Sequence, residues 1–178
     1  MKPLTLAQQI RAVMADTVAA TPTYTRYRDP LLAFAEVDDP GFDQLTGLVP
    51  GHLHPRDLLP EARSVCAFFL PFDLEVMLSN RPGKRGIPWA SETWARAYVE
   101  TNALLQQICV RLGESLAEKG VRAVWQPPTH NFDPVRLVSA WSHKSVAAVA
   151  RLGVFGHHRM LITRAGCAGR LCSIVLDA

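Results

Sequence analysis

Residues Ser139 to Arg170 read SAWSHKSVAAVARLGVFGHHRMLITRAGCAGR. This stretch holds a small-residue apolar helix, a glycine turn, two adjacent histidines, a short strand and a second glycine-cysteine turn. Ser145 to Ala150 is small and apolar, suited to close packing against a sheet or a large flat ligand. Gly153 and Gly156 flank Val154-Phe155, and glycines let backbone amides approach a ligand closely. Residues 159–163 (RMLIT) and 171–178 (LCSIVLDA) read as strands on either side of a tight RAGCAGR turn. Together these features describe a ligand-facing loop between ordered elements, without naming the ligand.

Upstream, the pattern alternates helices and strands. A helix is expected over 4–19, where Leu6, Ile10, Val13, Met14 and Val18 recur at helical spacing, ended by Thr21-Pro22. Residues 31–37 (LLAFAEV) suit a short strand, Asp38 to Gly41 a loop, and Phe42 to Val49 a helical turn. Residues 50–60 read as a proline-rich loop carrying His52 and His54; the i, i+2 spacing admits a metal, but in a proline-rich loop such a pair is more often exposed or hydrogen-bonded to backbone. Val65 to Leu70 is apolar on both faces, the mark of a central strand covered from both sides, and Pro71 ends it. Residues 79–88 form a polar loop whose Arg81, Lys84 and Arg85 are solvated cations or a contact for an anion. Ser91 caps a long helix over 92–119, with Gly120 just past its end and a strand at 121–126. Asp133-Pro134 reads as an N-cap followed by proline at the first helical position, predicting a helix over Val135 to Ala140.

The 178 residues suit one domain spanning 1–178, with no internal repeat. Net charge is +3 and no dense basic run occurs, so there is no direct nucleic-acid signal. No apolar run is long enough for a membrane span, and Gln8, Gln9, Arg11 and Asp16 break up any signal-peptide core, so cytoplasm is the expected compartment. Cys66 and Cys109 sit in apolar runs as buried thiols. Cys167 and Cys172 lack C-x-x-C spacing, and neither a zinc set, a G-x-G-x-x-G fingerprint nor a P-loop is present.

Several segments, in order, resemble the epoxyqueuosine reductase-like iron–sulfur proteins, especially the variant found in many anaerobes. They are YRDPLLAFAEVDDPGF (27–42), GHLHPRDLLPEARSV (51–65) with FFLPF (68–72), THNFD (129–133), WSHKSVAAVARLGVFG (141–156), HRMLIT (158–163) and GCAGR (166–170). The resemblance implies an α+β fold: a nitroreductase-like sandwich with a central mixed, mainly antiparallel sheet flanked by helices. It also implies a cleft over the sheet that binds cobalamin base-off. In such a pocket Ser142, Ser145, Ala147 and Ala148 would form floor and rim, and Gly153, Val154, Phe155 and Gly156 would offer backbone contacts. His130, Asn131 and His143 would meet polar edges, His157 would be a candidate cobalt ligand, and Asp133 is the nearest candidate for a proton-donating acid.

The chain departs from the family twice. Family members continue into a C-x-x-C-x-x-C-x-x-x-C-P ferredoxin module; these residues carry none, so no iron–sulfur cluster is expected within them. The family's A-G-L-G turn is here Ala150-Arg151-Leu152-Gly153, an arginine where backbone is expected to approach the ligand. Three readings follow. The first is a corrinoid-binding reductase domain drawing electrons from a separate ferredoxin. The second is a non-catalytic corrinoid- or partner-binding module. The third is a flavin-binding nitroreductase-like protein. A zinc protein is a distant fourth, and homodimerisation is open.

Overall fold

The computed structural model describes residues 4–81, 89–128 and 132–178. A four-stranded sheet forms its middle layer. Its strands are β1 (Leu31–Glu36), β2 (Ser64–Pro71), β3 (Ala123–Trp125) and, last along the chain, β8 (Gly169–Leu176). Their order across the sheet is β1-β2-β8-β3, and all three pairings are antiparallel. The architecture is α+β, a central antiparallel sheet flanked by helices, as the resemblance implied; no parallel pairing occurs in the described sheet.

The doubly apolar run of β2 is explained by the layer on each side. Cys66, Phe68 and Leu70, with Cys172, Ile174 and Leu176 of β8, face α1 (Leu6–Ala20) and α5 (Glu92–Ala117). There they meet Ile10 and Met14 of α1 and Leu104, Leu105, Ile108, Leu112 and Leu116 of α5, every one of them buried. The intervening residues Val65, Ala67 and Val175 face the opposite way. They meet Phe42 of α2 (Pro40–Leu48) and Val146 and Ala147 of α6 (His143–Val149), with Trp141 just before α6. Side chains alternate across a strand, so two covered faces require apolar residues at every position.

Local chemistry sets the helix ends. Thr5 and Gln8 form a reciprocal capping box at α1, Gln8 N–H donating to Thr5 Oγ1 and Thr5 N–H to Gln8 Oε1. Ser91 Oγ accepts the Trp94 N–H at 3.0 Å to start α5. Gly120, at φ +74°, ends that helix in a Schellman motif: Val121 N–H reaches Leu116 O and Gly120 N–H reaches Ala117 O.

Two short helices, α3 (Pro55–Leu58) and α4 (Leu74–Ser79), occupy segments where the sequence showed no helical period. The helix expected over Val135 to Ala140 is absent. Asp133 does behave as a cap, its Oδ1 accepting the Val135 and Arg136 N–H groups. Val135 and Leu137 are both exposed, however, so no apolar face rewards continuation. Leu137 instead takes φ +57° and the chain folds back, pairing β4 (Phe132–Asp133) with β5 (Val138–Ser139). A second hairpin joins β6 (Gly153–Phe155) to β7 (Leu161–Thr163). Among the described residues no helix is long and apolar enough to cross a membrane.

Candidate functional site

The site region is built on the two ends of α6. Ser142 caps its N-terminus: its Oγ accepts the Ser145 N–H at 3.2 Å and the Ser145 hydroxyl at 2.9 Å. The Ser142 N–H itself donates to His52 Nε2 at 3.2 Å, while His52 Nδ1 pairs with Leu53 O at 2.9 Å. His52 is therefore a neutral ring with both nitrogens on backbone, and burial holds its pKa below the ordinary imidazole value.

The next side chain, His143, turns into the core. Its Nδ1 lies 2.8 Å from Ser173 Oγ, which also accepts the Trp141 Nε1–H at 3.0 Å. The single hydroxyl proton of Ser173 then serves His143 Nδ1, leaving the imidazole proton on Nε2. That Nε2 is sealed from solvent and makes no hydrogen bond among the described residues, although the backbone of Pro127 and Gln126 lies close to the ring. Burial brings the His143 pKa down to about 4, so the ring is neutral at physiological pH.

The other end of α6 repeats the ending of α5 with a different residue. Leu152 N–H reaches Ala147 O at 2.9 Å and Arg151 N–H reaches Ala148 O at 3.0 Å, again a Schellman motif. Here the left-handed position belongs to Arg151, at φ +59°. A glycine would suit this position because of the helix end itself, without reference to a ligand. The arginine side chain runs to α2, where Nη1 stands 3.0 Å from Asp39 Oδ2. Asp39 also caps α2 through the Gly41 N–H at 2.9 Å; that amide and Arg151 hold its carboxyl below the usual carboxylate range.

The two glycines that follow are explained by the hairpin. A Cβ on Gly153 would stand 2.5 Å from Ile162 O, and one on Gly156 would stand 2.7 Å from His158 Cε1 and 2.9 Å from Ile162 Cδ1. Val154, opposite Ile162, and His157 at the tip are exposed. Lys144 Nζ donates to Arg159 O at 2.9 Å and sits 5.6 Å from the centre of the Phe155 ring, tying α6 to the hairpin.

Between α2, α6 and the hairpin lies an open groove of about 380 Å³. Leu45, Leu48, Ala148, Val149 and Phe155 give it an apolar floor; Gln44, Ser145 and the Asp39–Arg151 pair give it a polar rim. Of the residues expected at the site, Ser145, Ala148 and Phe155 line this groove. Ser142 supports it from behind, and Ala147 and His143 belong to the core side of α6. Asp133 stands apart on the β4–β5 hairpin, its exposed carboxyl held below the ordinary range by the Arg136 and Val135 amides. His130 and Asn131 lie outside the described residues, as do Lys84 and Arg85. The groove contributions of α2, Asp39, Gln44, Leu45 and Leu48, have no counterpart among the expected site residues: the sequence marks Phe42 to Val49 as a helical turn and Asp38 to Gly41 as a loop, with nothing in either to place them opposite α6.

The thiols are placed as expected for Cys66 and Cys109, which are buried, and Cys172 is buried with them. Cys109 and Cys172 bring their Sγ atoms to 3.6 Å. Burial pushes the Cys66 thiol pKa up, and proximity to Cys172 together with burial does the same for Cys109. Among the described residues no group of three or more His, Cys, Asp or Glu side chains could hold a metal ion.

No protein-family model and no curated protein matches this sequence. Solved structures do match. An epoxyqueuosine reductase from Streptococcus thermophilus superposes with a TM-score of 0.63 at 12% identity, over 98% of this chain and 46% of its own. An epoxyqueuosine reductase solved with an epoxyqueuosine-modified tRNA-Tyr stem loop gives 0.57 at 15% identity, over 97% and 46%. The Bacillus subtilis enzyme, with its catalytic loop swung out of the active site, gives 0.55 at 15% identity over the same shares. The chain thus spans just under half the length of these enzymes and, over that span, has their fold.

Proposed function

We propose that this chain is a corrinoid-binding domain of the epoxyqueuosine reductase type. The observation that carries the reading is the fold shared with solved epoxyqueuosine reductases, which extends over 97–98% of the chain. The groove residues fit one edge of a flat, amphiphilic ligand. Ala148, Val149 and Phe155 offer apolar surface, and Gln44, Ser145 and Arg151 offer rim groups for amides and phosphate. A groove of about 380 Å³ is smaller than a whole corrinoid, so an open half-site is the arrangement it supports.

A bound corrinoid would supply the redox chemistry. The chain's own residues would bind and orient it: the Ser142–Ser145 hydroxyl pair fixes the start of α6, and the Arg151–Asp39 pair fixes its end. In the catalytic form of this proposal the domain is a cytoplasmic oxidoreductase drawing electrons from a separate ferredoxin-type donor. One observation favours the second form, a binding module without turnover. Asp133, the candidate acid, is held as an anion by two backbone amides, which disfavours proton donation.

Titration with hydroxocobalamin and then cob(II)alamin, followed by ultraviolet–visible absorption, tests the reading. The expected result is a saturable shift to a base-off spectrum that weakens about tenfold in Phe155→Ala and Ala148→Trp. No spectral shift at tens of micromolar protein would overturn it, and a yellow preparation with a flavin spectrum would put the nitroreductase-like alternative in its place.

A further inference from the structure

Charge is unevenly distributed along this chain. Residues 134–176 contain no aspartate or glutamate but carry six cations: Arg136, Lys144, Arg151, Arg159, Arg164 and Arg170. The remainder of the sequence carries 13 basic and 16 acidic residues. The fold gathers much of this basic segment onto the β6–β7 hairpin. Lys144 is hydrogen-bonded to the hairpin tip, Arg159 is at the tip, and Arg164 follows β7 directly. Among the described residues none of these three is in an ion pair, unlike Arg151, which Asp39 neutralises.

The same hairpin exposes apolar side chains. Val154 and Ile162 are cross-strand partners on one face of the hairpin, at 70% and 41% exposure; Met160 is about half exposed, as is Phe155 on the other face, opposite the buried Leu161. Exposed apolar side chains and unpaired cations on one hairpin are the make-up of a docking surface for a protein of opposite charge. A phosphate backbone would engage the cations and leave the valine, isoleucine and methionine in water. A second copy of this chain related by two-fold symmetry would bring Lys144, Arg159 and Arg164 against their own equivalents, so self-association through this face is opposed by charge.

We propose that the β6–β7 hairpin, with Lys144 of α6, is the docking surface for an acidic protein that presents carboxylates around an apolar contact. That such a partner would be an electron carrier rests on the function proposed above; the docking itself does not. The floor of the corrinoid groove includes Phe155, so a partner seated on the hairpin would lie beside that groove.

The test measures binding of an acidic [2Fe–2S] ferredoxin by titration calorimetry at 50 and at 300 mM salt. The expected result is saturable binding at low salt that weakens about tenfold at high salt and about tenfold in the double variant Arg159→Glu/Arg164→Glu. Glu114→Lys, an exposed residue on α5, should leave it unchanged. Absence of binding at low salt, binding indifferent to the charge reversals, or self-association of the chain that the reversals abolish would each overturn the proposal. So would an RNA stem loop that binds more tightly than the ferredoxin and loses its affinity in the same variants. The corrinoid spectral shift of the double variant, read separately, should match the unaltered protein. In the unaltered protein, absence of docking with the spectral shift present therefore sinks this inference alone, whereas absence of the shift with docking present sinks the corrinoid reading alone.

Discussion

Replacing Arg151 by glycine should stabilise the protein, although it removes an ion pair. Arg151 holds φ +59° at the end of α6, in the same hydrogen-bond pattern that Gly120 completes for α5 at φ +74°. A side chain with a Cβ costs about 1 kcal/mol in this left-handed region relative to glycine. Against that stands the pair with Asp39 at 3.0 Å. The Arg151 side chain is 76% exposed, so the pair contributes only about 0.5 kcal/mol. Asp39 also keeps its Gly41 amide when the arginine is gone.

Arg151→Gly should therefore gain about 0.5 kcal/mol, and Arg151→Ala, which loses the pair and keeps the Cβ, should lose about as much. The gap of about 1 kcal/mol between the two variants corresponds to roughly 2–4 °C in Tm for a chain of this size. Urea unfolding followed by circular dichroism reads it directly. An alanine variant as stable as the glycine variant would refute the assignment of strain to residue 151. A Gly120→Ala variant, which should lose about 1 kcal/mol, provides the matching measurement on α5.

Gly169→Ala should be among the most damaging single-methyl additions. Its Cβ would stand 2.3 Å from Leu70 O and 2.6 Å from the Phe69 ring, where the start of β8 pairs with the end of β2. A loss of about 3 kcal/mol in urea unfolding is expected, and a loss below about 1 kcal/mol would show that β2 yields. His143 makes stability depend on pH in a fixed direction. Its folded pKa of about 4 lies below the unfolded value, so the unfolded chain takes up the proton first. Stability should be flat in this respect above about pH 6.5 and fall by up to about 3 kcal/mol towards pH 4. The difference in urea midpoint between the unaltered protein and His143→Gln, followed from pH 7 to 4, isolates this contribution; parallel profiles would sink it.

What could be read from the sequence were the features whose signal is local and repeated. The run Val65 to Leu70 announced a strand covered on both faces, and the stripe of α5, with Ser91 before it and Gly120 after it, announced a long helix. The Asp133-Pro134 cap was real in its hydrogen bonds but predicted a helix that α-period apolar residues did not sustain. At the site the limits were those of distance along the chain. Arg151 was visible as a departure, but its partner Asp39 lies on a different helix. The glycines at 153 and 156 looked like room left for a ligand, whereas the atoms that crowd them are those of Ile162 and His158 in their own hairpin. His143 looked like a polar edge; only the placement of Ser173 on β8 shows that it is buried among the strands.

The strand order β1-β2-β8-β3 also has a consequence for synthesis. Among the described residues β3 pairs with the sheet through β8 alone, and β8 runs from Gly169 to Leu176. A ribosome making this chain releases α1, β1, β2, α5 and β3 long before the strand that joins them. Until residue 176 has emerged, β2 has one open edge and part of each apolar layer lacks its covering strand. The nascent chain must be kept from aggregating through that whole interval, and assembly of the sheet becomes a single late event.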